Sequence, residues 1–192
     1  MEKTDLRTLQ ILEEINVDGQ LSQRRLAGRL GISLGPANSF VRRLANKGYF
    51  KIVNTTPNRF AYVLTPKGFS EKARLSYQYI NYSYRFYRDA RRRLQELFLG
   101  LERAGLEKIV FAGVSDFAEI AYLSLQETTL TLTGVIDKSD GRKNFFGYHI
   151  RIVDEIIKLS YDRVLITALE NRKEMSDLVT QRGVVTSSIL IP

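Results

Sequence analysis

The chain of 192 residues contains no cysteine. Disulfides, thiolate metal sites and cysteine nucleophiles are therefore excluded. Histidine occurs once, at His149, in a predicted loop or short strand. A lone histidine supplies neither a catalytic triad nor a zinc site. No tyrosine has a lysine four positions later, so the short-chain dehydrogenase dyad is missing too. Asp137 and Asp140 resemble paired carboxylates, but "DKSDGRKN" reads as a turn. The expectation is a protein that is not an enzyme. No apolar run approaches the roughly 20 residues of a membrane helix. The start, "MEKTDLRTLQ", lacks the apolar core of a signal peptide. A cytoplasmic protein that uses no membrane is expected.

A second absence is local. Between Asp18 and Glu71 there is no acidic residue, while nine Lys or Arg occur. The net charge of +8 is correspondingly uneven. Met1 to Gly100 holds 18 Lys and Arg against 8 Asp and Glu, whereas Leu101 to Pro192 holds 11 against 13. Ordinary surfaces mix the signs. A stretch this long without carboxylates points to a polyanion, and double-stranded DNA is the expected partner.

The residues in that stretch predict a helix-turn-helix. A first helix runs from about Asp5 to Ile15, with Leu6, Leu9, Ile11, Leu12 and Ile15 mostly on one face. Ser22 is a good N-cap for a short second helix, Gln23 to Leu30. Gly31 ends it, because glycine accepts the left-handed conformation at a helix end. Ser33 caps a third helix, with Pro36 in its first turn, where a missing N–H costs little. Ala37, Phe40, Val41 and Leu44 form its inner face. Asn38, Ser39, Arg42, Arg43 and Asn46 form an outer face free of acids, and Gly35 is small enough for DNA to come close. A helical hairpin with a merely solvated basic face is the alternative. "YFKIV" and "FAYVL" read as strands around the turn "NTTPNR", which makes a wing. Arg59 near its tip suits a groove or phosphate contact, and Lys51 and Lys67 suit phosphates.

From Lys67 or Gly68 to Leu101 one helix is predicted. Leu75, Tyr79, Tyr82, Phe86, Ala90, Leu94, Leu97 and Leu101 form a seam along it. A helix near 50 Å long is more than one small domain can bury, so pairing with a second copy is expected, giving a homodimer. Five tyrosines fall between Tyr77 and Tyr87, as interface packing or as a stacking platform. "RDARRR" is either a solvated side or a contact to DNA backbone.

Beyond Gly105 the periodicity changes. "KIVFAG", "TLTGVID", "RVLITAL" and "SSILI" have strand character; "SDFAEIAYLSLQE", "VDEIIKL" and "NRKEMSDLVTQRG" have helix character. This alternation predicts a small parallel sheet of Rossmann type. Gly113, Ser115 and Ala118 stand where that fold's glycine fingerprint has G, G and G/A. Ser115 replaces the glycine that admits pyrophosphate, and Asp116 adds negative charge at the helix start. Asp137, 24 residues after Gly113, suits a ribose-binding acid. The candidate ligand residues are Gly113, Ser115, Asp137 and Ala168, at the strand ends. The two readings are a nucleotide or nucleotide-sugar effector site without metal, and a ligand-free structural domain.

The run "LSQRRLAGRLGISLGPANSFVRRLANKGYFKIVN", followed by "FAYVLTPKGFSEKARL", resembles MarR-type winged-helix regulators, closest to the branch associated with exopolysaccharide gene clusters. The match covers roughly Leu6 to Leu97. The resemblance implies a dimeric DNA-binding transcription regulator, with Ser33 to Asn46 as reading helix and Asn54 to Arg59 as wing. "VFAGVSDFAEIA", "GVIDKSDGRKNFFGYHI", "DRVLITALENRKEMSDLV" and "GVVTSSILIP" resemble the small Rossmann-like domains that precede polyprenyl sugar-phosphate transferases and sugar acyltransferases. The chain is also similar to redox-sensing repressors that join a winged helix to a Rossmann domain, but departs from their glycine fingerprint at Ser115. The expected architecture is thus an α+β winged helix-turn-helix over residues 1–67, a dimerisation helix over 68–105 and an α/β Rossmann-like sensor or docking domain over 106–192. The expected function is regulation of polysaccharide-related genes. The alternatives are a C-terminal protein-interaction module, or a sugar-nucleotide enzyme with an accessory DNA-binding part.

Overall fold

A computed structural model describes the backbone of residues 1–56, 59–138 and 144–192; the side chains of residues 54–60 lie outside that description. The chain divides into two compact units, Met1–Arg85 and Phe86–Pro192.

The first unit begins with α1 (Lys3–Val17), α2 (Gln23–Arg29) and α3 (Leu34–Asn46). Leu9, Ile11, Leu12 and Ile15 of α1 are buried with Leu26, Val41 and Leu44. Leu6 is not among them; at 36 % exposure it lies outside the buried stripe. The Ser22 hydroxyl accepts from the Arg25 N–H at 3.2 Å, the expected cap. Gly31 takes φ +59° and turns the chain from α2 to α3. Ser33 occupies the N-cap position of α3, but its side chain makes no cap hydrogen bond.

Two antiparallel strands follow, β1 (Phe50–Thr56) and β2 (Arg59–Leu64). Their pairing continues to Thr56 opposite Arg59, so most of "NTTPNR" is strand and not turn. The hairpin is anchored by its alternate side chains. Phe50 and Tyr62 are buried edge to face with centroids 5.6 Å apart, and the Tyr62 N–H donates to the Gly19 carbonyl at 2.6 Å. Thr65 then starts α4 (Pro66–Arg103): its hydroxyl accepts from the Gly68 N–H at 3.1 Å, with Pro66 at the first helical position.

α4 has 38 residues and is about 57 Å long at ~1.5 Å per residue. The predicted seam splits into three. Leu75 belongs to the core of the first unit. Ala90, Leu94 and Leu101 belong to the core of the second, joined by Phe98, which is fully buried, while Leu97 is only partly so. Only Tyr79, Tyr82 and Phe86 remain exposed. The leucine-rich half of the seam is therefore consumed within its own chain and does not wait for a second copy.

The second unit is a six-stranded sheet of order β5-β6-β4-β3-β7-β8. The strands are β3 (Lys108–Ala112), β4 (Thr131–Asp137), β5 (Asn144–Phe145), β6 (Tyr148–Ile152), β7 (Arg163–Ile166) and β8 (Ile189–Leu190). All neighbours are parallel except β5 and β6. Alternation along β3 sorts the two faces. Ile109 and Phe111 pack with α4 and with α5 (Asp116–Leu125). Val110 and Ala112 pack with α6 (Arg172–Gln181) and with a 3-10 helix, Val153–Lys158. "VDEIIKL" is that 3-10 helix and not an α-helix. β5 and β6, which carry His149, were not foreseen as a pair. Asp162 ties β7 to the start of β3 by accepting the N–H groups of Glu107 and Lys108, both at 2.8 Å. Those two bonds hold its carboxyl below the usual carboxylate range.

Candidate functional site

The outer surface of α3 is uncovered. Ser33, Gly35, Ser39, Arg42, Arg43 and Asn46 are exposed, while Ala37, Val41 and Leu44 are buried beneath them. The split follows from the helical period acting on a strongly amphipathic segment. Phe40 is only half-buried, and the Arg43 guanidinium lies over its ring, 4.6 Å from the centroid. Arg42, Arg43 and Lys51 enter no salt bridge among the described residues. Their charge is therefore free for an external anion.

Not all of the basic stretch is free. Arg29 pairs with Glu14 and Arg25 lies 4.0 Å from Asp18, so α1 neutralises part of α2. Arg7 donates to the Leu30 carbonyl at 2.6 Å, closing the end of α2. Of the stretch, Arg24, Arg42, Arg43, Lys47, Lys51 and Lys67 enter no salt bridge among the described residues; Arg42, Arg43 and Lys51 of these lie on α3 and β1.

Two predicted residues differ from expectation or lie beyond description. Asn38 sits on the flank of α3, half-buried, and its Oδ1 is buried with no hydrogen-bond partner among the described residues. Arg59 opens β2, but its side chain is outside the described residues. Gly35 has open space around it: an added Cβ meets nothing within 4 Å. Its lack of a side chain thus serves no packing need in this chain.

A second candidate site is a cleft of about 350 Å³ at the C-terminal ends of β3, β4 and β7. Gly113, Ser115, Asp137 and Ala168 all line it. Sequence order reverses there, since β3 has β4 on one side and β7 on the other. That is where open parallel sheets form a crevice. Gly113 has φ +100°, and a Cβ there would stand 2.5 Å from the Ala168 Cβ. The glycine thus permits close approach of two loops.

The polar groups of this cleft are already engaged. Asp137 accepts from the Val114 N–H at 2.9 Å and from the Lys138 N–H at 2.7 Å, one on each oxygen. Ser115 caps α5 by accepting from the Phe117 N–H at 3.2 Å, and it donates to the Thr167 carbonyl at 2.6 Å. Buried Thr167 donates to the Gly113 carbonyl. Asp116 and Glu119 fill the first turn of α5. Lys138 is paired with Glu174. Phosphate at this helix start would meet carboxylates and a capped N-terminus. Sequence reasoning missed Lys138, Glu170 and Thr167. Only Lys138, directly after Asp137, had a signal; the other two are brought in by β7. Asp140 lies outside the described residues. Among the described residues, no group of His, Asp and Glu is placed to hold a metal ion.

Helix, glycine turn, amphipathic helix and hairpin define the first unit as a winged helix-turn-helix. In agreement, residues 1–51, about a quarter of the chain, match the protein family described as winged helix-turn-helix DNA-binding. Comparison with curated proteins gives no match. Among solved structures, that of RSP, a Rex-family repressor, aligns with 100% of this chain and 87% of its own, at 14% identity and a TM-score of 0.35. So loose a likeness carries no argument. No described helix is long and apolar enough to cross a membrane.

Proposed function

We propose that the protein is a transcription regulator that binds double-stranded DNA through residues 1–67, dimerises through the helix over 68–105, and uses residues 106–192 as a sensor. The uncompensated Arg42 and Arg43 on the exposed face of α3 carry this reading. Ser33, Gly35 and Ser39 bring the helix close to the groove floor. Asn38 and Arg59 are proposed base-edge and backbone contacts, and Lys51 a phosphate contact. Control of polysaccharide-related genes is part of the proposal, resting on the resemblances of the winged-helix run and of the C-terminal runs, with "YVLTPKGFSEKARL" the most specific of them.

The test is binding of the purified protein to its own promoter region at several salt concentrations. A specific complex whose affinity falls steeply with salt supports the reading. Equal, weak binding to any duplex removes α3 as a sequence reader.

In the sensor, we place a nucleotide or nucleotide-sugar effector in the cleft by its sugar end. Asp137 and Glu170 offer acceptors to hydroxyl groups, whereas Asp116 repels phosphate at α5. Such a ligand controls DNA binding only if its affinity differs between two states of the protein. The internal engagement of Ser115 and Asp137 also favours a second reading, a ligand-free module that binds another protein. Thermal-shift measurements with nucleotides, nucleotide sugars and the corresponding free sugars separate the two. Stabilisation by none of them favours the module.

A further inference from the structure

Arg42 and Arg43 are both exposed on α3, and neither enters a salt bridge among the described residues. The fold nevertheless treats them differently. Arg43 follows Phe40 by three residues, so the two side chains are neighbours on the helix surface. Phe40 packs against the core of the first unit but is only half-buried. Over its ring lies the Arg43 guanidinium, 4.6 Å from the centroid. Arg42 rests on no aromatic ring among the described residues.

We infer that Phe40 is a positioning residue for DNA recognition: its ring holds Arg43 ready for a base edge, an aid that Arg42 lacks; this rests on the DNA-binding reading proposed above. The first argument is what the contact uses. A ring attracts the cation as a whole and ties no N–H to an acceptor atom, so the guanidinium fork remains available. A carboxylate partner spends that fork, as Glu14 does with Arg29. The second argument is order. A side chain ordered only on binding loses rotamer freedom at that moment, and one already held loses less. Base edges reward this most, because a bidentate contact must meet two acceptors at once. The third is surroundings. No acid occurs between Asp18 and Glu71, and the neighbours of Arg43 four residues either side on α3 are Ser39 and Lys47. One is neutral and the other repels, so neither draws the guanidinium off the ring.

The test is a double-mutant cycle on the full chain, read by fluorescence anisotropy against the promoter region and against a shuffled duplex of the same composition. Phe40→Leu keeps an apolar side chain against the core and removes the ring, whereas Phe40→Tyr keeps the ring. Phe40→Leu should weaken promoter binding about twofold to fivefold, the fold-change of one exposed cation–π contact. Binding to the shuffled duplex and the salt slope should not change, and Phe40→Tyr should bind like the wild type. In an Arg43→Ala background Phe40→Leu should have no further effect; in an Arg42→Ala background its effect should persist in full. Arg43→Lys, which leaves Phe40 in place, should lose promoter preference at constant salt slope. Equal effects of Phe40→Leu in the two backgrounds mean that the ring acts by packing α3, and they overturn the inference. So does Phe40→Leu with unchanged promoter affinity, a loss shared by both duplexes, or a Phe40→Tyr as weak as Phe40→Leu. Promoter preference kept by Arg43→Lys overturns it without any change at Phe40. A wild-type chain that binds both duplexes alike overturns the reading of DNA by α3 itself, and the inference with it.

Discussion

The face of α3 and the cleft at the end of β3 are both polar, yet they treat their polar groups in opposite ways. On α3 the exposed cations have no carboxylate partner among the described residues, and one buried amide oxygen has no hydrogen-bond partner among them. In the cleft, Asp137, Ser115 and Thr167 hold the protein's own backbone. A group bonded within the chain stabilises the fold but must break that bond, or share it, to bind anything else. Polar side chains left free contribute nothing to folding and are available to a partner. This contrast favours α3 as the working surface and makes the cleft self-supporting without a ligand.

The largest expected effect breaks the contrast at its free end. Arg42→Ala and Arg43→Ala should each cost about 1–3 kcal/mol of specific DNA binding if they read base edges. The melting temperature should stay within a degree or two for Arg42→Ala, which makes no ion pair among the described residues, and fall by a few degrees for Arg43→Ala, which gives up its place over the Phe40 ring. Fluorescence anisotropy against the promoter region measures the first, calorimetry the second. Normal affinity in the double variant takes α3 out of the interface.

At the engaged end, Asp137→Ala should lower stability by about 1–3 kcal/mol, because it orphans the Val114 N–H in the loop after β3. Denaturant unfolding with that loss, and unchanged DNA affinity, fits a structural carboxylate. A stable variant that loses an effector response instead makes Asp137 a ligand group, and the contrast between the two sites fails.

How much of this was legible beforehand differs between the units for a physical reason. The helix-turn-helix is written locally: Ser22, Gly31 and the spacing of Ala37, Val41 and Leu44 act within a turn or two. The strands β3, β4 and β7 were legible as apolar runs, and their crevice followed from parallel topology. The pairing of β5 with β6 was not, because two-residue strands have no periodicity. Nor did the sequence reveal that the polar groups of the cleft are spent, since Thr167 reaches Gly113 and Ser115 across more than fifty residues. The seam of α4 misled because helical spacing states that a face is apolar, not what covers it. Asn38 misled for a related reason, since a residue on the flank of a helix can turn its tip inward.

Gly35→Ala sharpens the free end further. Alanine should stabilise α3 by about 0.4–1 kcal/mol, because the site is open and the unfolded chain loses freedom. If DNA lies against this position, affinity should fall about tenfold, the cost of displacing a close backbone approach by ~1.4 kcal/mol. Higher stability with unchanged affinity means that the duplex does not reach Gly35.

The smallest expected effect concerns Asn38, where folding and binding make opposite demands. Its Oδ1 is buried without a partner among the described residues. An orphaned acceptor costs about 1–3 kcal/mol, partly offset here by the exposed side of the residue. Asn38→Ala removes the orphan and adds helix propensity, so unfolding free energy should rise by roughly 0.5–1 kcal/mol. A fold that keeps a destabilising amide at this flank of α3 implies a use for it. If Asn38 meets DNA as proposed, rotation of its side chain outward would satisfy both its oxygen and its nitrogen at a base edge. Asn38→Ala should therefore bind the promoter region more weakly while unfolding at higher denaturant, and the affinity loss should be confined to the specific sequence. A variant more stable and equally good at binding makes Asn38 a packing fault, while one that is less stable means its amide has an internal partner after all.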